Sequence, residues 1–342
     1  MWSATYSAWL LANMALKGVN LGGWLVLERW MTPSLFAGTE AVDEYGFMQT
    51  AGAREKLRDH QKNFIREADF KWLRDNGVQA VRIPVGYWVL DGDAPFVASI
   101  GRLDWAFVMA EKYGIEVLVC LHGAPGSQNG RDHSGRQGKA MWYKNSSYRQ
   151  QTIDILEKIA LRYRDHPKFW GLELLNEPRI GVFQVTLRKF YRESYRRLAA
   201  ILCPSTRIVF HDAFTPRLMN AAISGSARVM MDIHWYHFTY WPHKRTPLWL
   251  YWRLIWWHGQ LVANLRHWQG VIVGEWNGVL SHERLRKYSA KERDRLQHEH
   301  LRRQLAAYSR ADAWFYWSYK TEGDNIWNFR WVVTQGGLEP DL

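Results

Sequence analysis

Along this chain, short runs of apolar, β-branched and aromatic residues alternate with longer stretches in which apolar residues recur every three or four positions. Eight runs of the first kind predict strands: Lys17–Gly22, Ala80–Val85, Glu116–His122, Phe169–Asn176, Arg207–Asp212, Arg228–His234, Val271–Glu275 and Trp314–Ser318. Most are apolar at successive positions, as in a parallel sheet covered on both faces. Between them, Gln151–Arg164 gathers Ile153, Leu156, Ile159, Ala160 and Tyr163 on one helical face. Val185–Leu202 does the same with Leu187, Phe190, Tyr191, Leu198 and Ile201. Eight strand–helix units in 342 residues, with no Pro/Ser/Gly linker and no short repeat, predict a single domain over residues 1–342. The expected fold is α/β, a closed (β/α)8 TIM barrel. An open doubly wound sheet is the alternative, but no glycine-rich phosphate loop follows the first strand.

Polar groups close these runs at their C-terminal ends: Arg82, His122, Asn176 with Glu177, Asp212, His234 with Tyr236, Glu275 and Trp317. In a barrel all those ends open on one face, where active sites are built. Glu177 and Glu275, after the fourth and seventh strands, fall on opposite sides of that mouth. Each alone reads equally well as a helix cap or an arginine partner. As a facing pair they suit glycoside hydrolysis, in which one carboxyl protonates the leaving oxygen while the other attacks the anomeric carbon or activates water.

An ordered series of motifs runs through nearly the whole chain. It comprises Gly18–Glu28, Thr32-Pro33-Ser34-Leu35-Phe36, Val81–Val85, Leu121–Gly130, Asn176-Glu177-Pro178 and Gly274-Glu275-Trp276, then Lys320-Thr321-Glu322 and Gly337-Leu338. The series resembles glycoside hydrolase family 5, of clan A. Its opening block and the His122–Gly130 loop look most like the exo-β-1,3-glucanases (glucan 1,3-β-glucosidases). The resemblance implies retaining, exo-acting cleavage of β-1,3-glucan through a covalent glycosyl-enzyme intermediate. It implies Glu177 as general acid/base and Glu275 as nucleophile. Arg82 would hold Glu275 anionic, Tyr236 would donate to it, and Asn176 would donate to the sugar 2-hydroxyl. His122 and His234 resemble sugar-binding and proton-network histidines. Trp317 would floor the cleavage subsite, and Glu28, assisted by Asp132, would hold sugar hydroxyls at a closed end.

The alternatives are hydrolysis or transglycosylation of other β-glucosides (cello-oligosaccharides, lipid or sterol glucosides), or a non-catalytic carbohydrate-binding or membrane-docking barrel. Glu177, Glu275, Arg82 and Asn176 occurring together speak against the silent form. No organic cofactor is implied. Nor is a metal, because His234-Trp235-Tyr236-His237 and His298-Glu299-His300 lack further ligands and read as surface or sugar-contact histidines. Arg131 stands where the resembling glucanases carry an aromatic residue, which opens the acceptor side to sugar hydroxyls or an anionic aglycone.

Composition adds one outlier. The chain holds 21 Trp, 16 Tyr and 14 Phe, more flat apolar faces with polar edges than a core needs. Trp24, Trp276 and Trp317 fall in motifs placed around the expected sugar pocket. Trp241, Trp249, Trp252, Trp256, Trp257 and Trp268 crowd into Tyr240–Trp268, interleaved with Lys244, Arg245, Arg253 and Arg266, and read as an insertion after strand six. Its apolar run is too short to cross a bilayer. Three roles fit it: a packed lid helix, an acceptor or lipid-glycoside platform, and a membrane- or partner-docking surface. The net charge of +12 has one local concentration, Arg284–Arg310, where interspersed acids suggest a helix with a wet face. With no nucleic-acid module visible, no nucleic-acid partner is expected. Cys120 and Cys203 read as buried free thiols. The N-terminus is apolar but lacks a positive leader region, which suggests the cytoplasm unless a leader has been trimmed.

Overall fold

The computed structural model describes residues 15–179, 184–220, 222–223, 226–237 and 246–338. The eight strands are β1 (Leu16–Asn20), β2 (Ala80–Gly86), β3 (Glu116–Gly123), β4 (Phe169–Glu173), β5 (Arg207–His211), β6 (Val229–His234), β7 (Gly270–Trp276) and β8 (Ala313–Tyr316). They pair in parallel in sequence order, and β8 closes on β1 from Leu16↔Ala313 to Val19↔Tyr316. Each predicted run lies on its strand, and the sheet is a closed barrel rather than an open one. Two ends differ. β4 stops at Glu173, so Asn176 stands on the following loop with Glu177, whose φ of 38° lies outside the strand region. β8 stops at Tyr316, leaving Trp317 just beyond it.

The longer helices are α1 (Ala53–Asn63), α2 (Glu67–Asp75), α3 (Ile100–Tyr113), α4 (Ser146–Tyr163), α5 (Gln184–Ala199), α6 (Leu248–Arg266) and α7 (Ala290–Tyr308). α4 buries the expected face, Ile153, Leu156, Ile159, Ala160 and Tyr163, but starts earlier than its apolar pattern does. The Asn145 side chain accepts from the Ser147 N–H at 2.9 Å and fixes that start. α7 opens on a capping box of Ser289 and Glu292 and buries Leu296, Leu301, Ala307 and Tyr308. Its wet face carries Glu299 bridged to both Arg302 and Arg303.

Within the tryptophan-rich stretch, α6 turns Tyr251, Ile255, Val262 and Leu265 inward. Gly259 lets it settle against α7, since a Cβ there would lie 3.0 Å from the Ala307 Cα. Among the described residues, no helix is long and apolar enough to cross a membrane. Residues 240–245 of that stretch lie outside the described residues. So do residues 1–14, the segment that bears on a leader.

Three sequence expectations need correcting. Cys120 is buried, but Cys203 is exposed in the turn leading to β5, where Pro204 follows it. His237 and His300 are not surface groups; His300 is buried on α7 and His237 against it, with His237 Nε2 2.9 Å from the Tyr308 hydroxyl. Trp24 and Trp276 belong to the core and not to a sugar pocket. Trp24 packs on Trp105, and Trp276 on Tyr308, Trp314 and Tyr316.

The barrel interior is not wholly apolar. Arg82, Glu173 and Asp232 are fully buried on β2, β4 and β6. Asp232 Oδ1 accepts from the Gly274 N–H at 2.6 Å, and a Cβ on Gly274 would fall 2.0 Å from Asp232 Oδ2. β7 therefore has room only for glycine beside this carboxylate. Gly274→Ala is expected to cost about 1–3 kcal/mol of unfolding free energy, as overpacking does. Urea denaturation checks this, and an unshifted midpoint would contradict the packing described.

Candidate active site

One guanidinium organises the mouth of the barrel. Arg82 donates from Nε and Nη2 to the two oxygens of Glu173, at 2.7 and 3.0 Å. From Nη1 it donates to Asn20 Oδ1 at 2.8 Å and to Glu275 Oε1 at 2.9 Å. From Nη2 it also reaches Asn176 Oδ1 at 2.8 Å and Cys120 Sγ at 3.1 Å. Strands β1, β2, β3, β4 and β7 thus meet at a single side chain whose fixed donor fork only arginine supplies. Glu275 is held from its other side by the Tyr236 hydroxyl, which donates to Oε2 at 2.8 Å. Both its oxygens are therefore aimed before any sugar arrives.

The second carboxylate is set by histidines. His234 Nδ1 lies 2.9 Å from Glu177 Oε1 and 3.5 Å from Glu275 Oε2, while its Nε2 lies 3.2 Å from Asp232 Oδ2. Burial by itself would raise the Glu177 carboxyl. The His234 hydrogen bond and the nearby imidazoles of His133 and His211 outweigh it and hold Glu177 well below the usual carboxylate range. Burial opposes charge on His234, yet Glu275, Asp232 and Glu177 together push it well above the ordinary imidazole value. The proton between His234 and Glu177 is therefore biased toward His234. The loop bearing Glu177 is fastened by Gln128, whose amide donates to the carbonyls of His122 at 2.7 Å and Asn176 at 2.9 Å.

The two carboxylates line a cavity of about 230 Å³ together with Glu28, Trp30, His122, Arg131, His133, Tyr236, Trp317 and Trp327. That is below the roughly 300–1,000 Å³ of pockets for drug-sized ligands and suits about one sugar ring. Trp317 lies parallel to His122, with centroids 5.7 Å apart, and Trp30 meets Trp327 edge-on at 5.0 Å. Arg82, Asn176 and His234 stand behind this wall, fully or almost fully buried. Asp132 sits on a short turn after β3, near enough for its charge to be felt at Glu28. A larger cavity of about 540 Å³, bordered by Tyr45, Tyr87, Phe96, Arg136 and Tyr148, contains neither carboxylate of the pair. The smaller one carries the chemistry.

Sequence reasoning passed over Glu173, Asp232, Gln128, His133, Trp30 and Trp327. The first two were visible as lone carboxylates inside apolar runs, which can be buried only if paired. Nothing local marked the others. Two sets of donors, Glu177–His211–His234 and Glu173–Asp232–His234, bring ligand atoms within 4.8 Å of one another. Both need His234, whose nitrogens already face carboxylates, and Arg82 Nη2 lies 3.9 Å from Asp232. A cation there would displace a proton and sit beside a guanidinium, so these groups suit proton transfer better than metal binding.

Comparison with known proteins gives a consistent picture. The profile of the family Cellulase (glycosyl hydrolase family 5) matches residues 42–323. A probable glucan 1,3-beta-glucosidase A of Emericella nidulans is 34% identical, the match covering 94% of this chain and 89% of that protein. Among solved structures, a rutinosidase from Aspergillus niger superposes with a TM-score of 0.81 at 19% identity, covering 95% of this chain and 98% of the other. The endoglucanase Cel5A of Thermotoga maritima follows at 0.59 and 16% identity, covering 90% and 91%.

Two outcomes follow from the geometry. Arg82→Met should destabilise the fold by about 3–5 kcal/mol, because Glu173 and Glu275 would stay buried without their partner; equilibrium unfolding in urea reads this. Burial, reinforced by the charges of Glu275, Asp132 and Glu177 against the Trp30 hydrogen bond, pushes Glu28 from an ordinary 4.5 up to about 8. The folded protein keeps this proton where the unfolded chain has lost it, so the carboxyl removes stability as pH rises from about 5 to 8. Glu28→Gln should flatten that part of the stability–pH curve; an unchanged slope would place Glu28 in a wetter setting.

Proposed function

The chain belongs to glycosyl hydrolase family 5 and is a glycoside hydrolase, and from that premise we propose that it releases single glucose units from β-1,3-glucan or a short β-glucoside with retention of configuration. The observation that carries this reading is the shared grip of His234 on both carboxylates. Glu177 Oε1 and Glu275 Oε2 can be no farther apart than the sum of their contacts to its Nδ1, about 6.4 Å, whereas inverting pairs stand roughly 6.5–9.5 Å apart. That spacing suits direct attack by a carboxylate better than attack by a water held between sugar and base. The glucan specificity rests on the name of the Emericella protein.

The chemistry follows from the positions. Glu275, paired with Arg82 and steadied by Tyr236, attacks the anomeric carbon as Glu177 protonates the departing oxygen. The proton needed lies one hydrogen bond away on His234. Entry of a glucoside, which excludes water and brings an oxygen to Glu177, is the event that draws it across. Asp232 behind His234 compensates the imidazolium until then. In the second step Glu177, now a carboxylate, takes a proton from water that attacks the same carbon and frees Glu275. The sugar lies over Trp317, with its far hydroxyls toward Glu28 at the closed end.

Arg131 and the Trp30–Trp327 pair line the pocket as well. They favour a second reading in which the leaving group is not glucan but another aglycone. Contact with a lipid surface would be a separate property, belonging to the tryptophan-bearing outside of the barrel. Glu275→Gln should lower kcat by about 10⁴-fold or more while leaving the melting temperature within a few degrees. Laminaritriose followed by NMR should yield β-glucose as its first product. An α-anomer appearing first would contradict retention, and a fully active Glu275→Gln protein would remove the assignment.

A further inference from the structure

The tryptophans of α6 are divided between two faces with different fates. On the inner side, Arg303 of α7 stacks over Trp252 at 4.5 Å, and Arg266 bridges Asp312 at 2.6 Å. With the close approach at Gly259, these contacts fix the rotation of the helix, so its outer residues have no core to turn into. On the outer side, Trp249, Trp256 and Trp257 are 66%, 53% and 56% exposed, and Trp268, just past the helix end, is 79% exposed. Leu250 and Arg253 are exposed among them. Trp249, Arg253, Trp256 and Trp257 follow the spacing of one helical face, and Trp249 to Trp268 spans about 28 Å. Apart from these four, the only exposed tryptophan among the described residues is Trp30 at the pocket rim.

We propose that the outer face of α6 docks the enzyme on an anionic lipid bilayer, with the helix lying in the plane of the interface. Indole rings pair a broad apolar face with an N–H edge and collect where hydrocarbon meets headgroups. The charge around the stripe has one sign. No Asp or Glu occurs between Thr246 and Gly274, whereas Arg253 and His267 are exposed there. Two acids of the elements packed against α6 are already engaged, Glu299 by Arg302 and Arg303, and Asp312 by Arg266. Anionic headgroups would meet arginine and indole N–H groups on a segment that carries no carboxylate of its own. A second copy of this chain is the weaker occupant, since each carries a net charge of +12 and would present the same basic face. The proposal does not rest on the catalytic reading, because no pocket residue takes part in it.

The test is flotation of the full chain with vesicles of phosphatidylcholine, alone or with about a quarter phosphatidylglycerol, beside the variant Trp249→Ser/Trp256→Ser/Trp257→Ser/Trp268→Ser. Flotation with the anionic vesicles is expected, with a blue shift of tryptophan emission and loss at high salt. The variant should bind about tenfold more weakly or worse, while its melting temperature and its hydrolysis of a soluble aryl β-glucoside stay unchanged. Equal flotation of the variant, or none by the parent protein, overturns the proposal. So does a dimer, or retention on insoluble β-1,3-glucan, that the four substitutions abolish in the absence of vesicle binding.

Discussion

The buried guanidinium of Arg82 is the constraint on which the site depends. It satisfies Glu173 with two parallel hydrogen bonds and shares its three remaining N–H groups among Asn20, Glu275, Asn176 and Cys120. A cation with no contact to water is tolerable only where carboxylates and carbonyl-type oxygens surround it. Those acceptors come from four strands or their loops, β1, β3, β4 and β7, all reached from Arg82 on β2, so closing the barrel and completing the shell of Arg82 are one event. Glu275 is oriented as a consequence, which means that fold stability and the aim of the nucleophile are coupled through the same atoms.

Around that fixed centre the protonation states are divided unequally. Glu275 faces a permanent cation and a phenol; Glu177 faces His133 and His234, the latter pushed toward its charged form by the surrounding carboxylates. Two carboxylates in one cavity are thereby given different partners, which is how a single pocket comes to contain both a nucleophile and a proton donor. The close packing of Gly274 on Asp232 belongs to the same arrangement, because Asp232 sets the far nitrogen of the shared imidazole.

Much of this was legible in the chain. Uniformly apolar runs ending in polar residues gave the eight strands and placed Arg82, His122, His234 and Glu275 at one rim, since strand ends converge in a barrel. Glu177 was found by its motif just after the fourth run, but nothing in that motif showed its left-handed backbone. A left-handed φ at a glutamate follows from tertiary contacts such as those of Gln128, and local pattern cannot show them. Trp24 and Trp276 were misplaced for a related reason: tryptophan in a conserved-looking motif can serve the core or the ligand, and only packing partners decide. Trp30 and Trp327 reach the pocket from opposite ends of the chain, a closeness no window of sequence contains. α6 was legible as a concentration of tryptophan, but its division into a packed and an exposed face was not.

The account stands or falls on a covalent bond to Glu275. Incubation with 2,4-dinitrophenyl 2-deoxy-2-fluoro-β-glucoside slows the second step more than the first and should let the glucosyl-enzyme accumulate. Intact mass spectrometry should then show one fluoroglucosyl group per chain, and peptide mapping should place it on Glu275. A label on any other residue, or an unlabelled protein that still hydrolyses β-glucosides, would contradict the account.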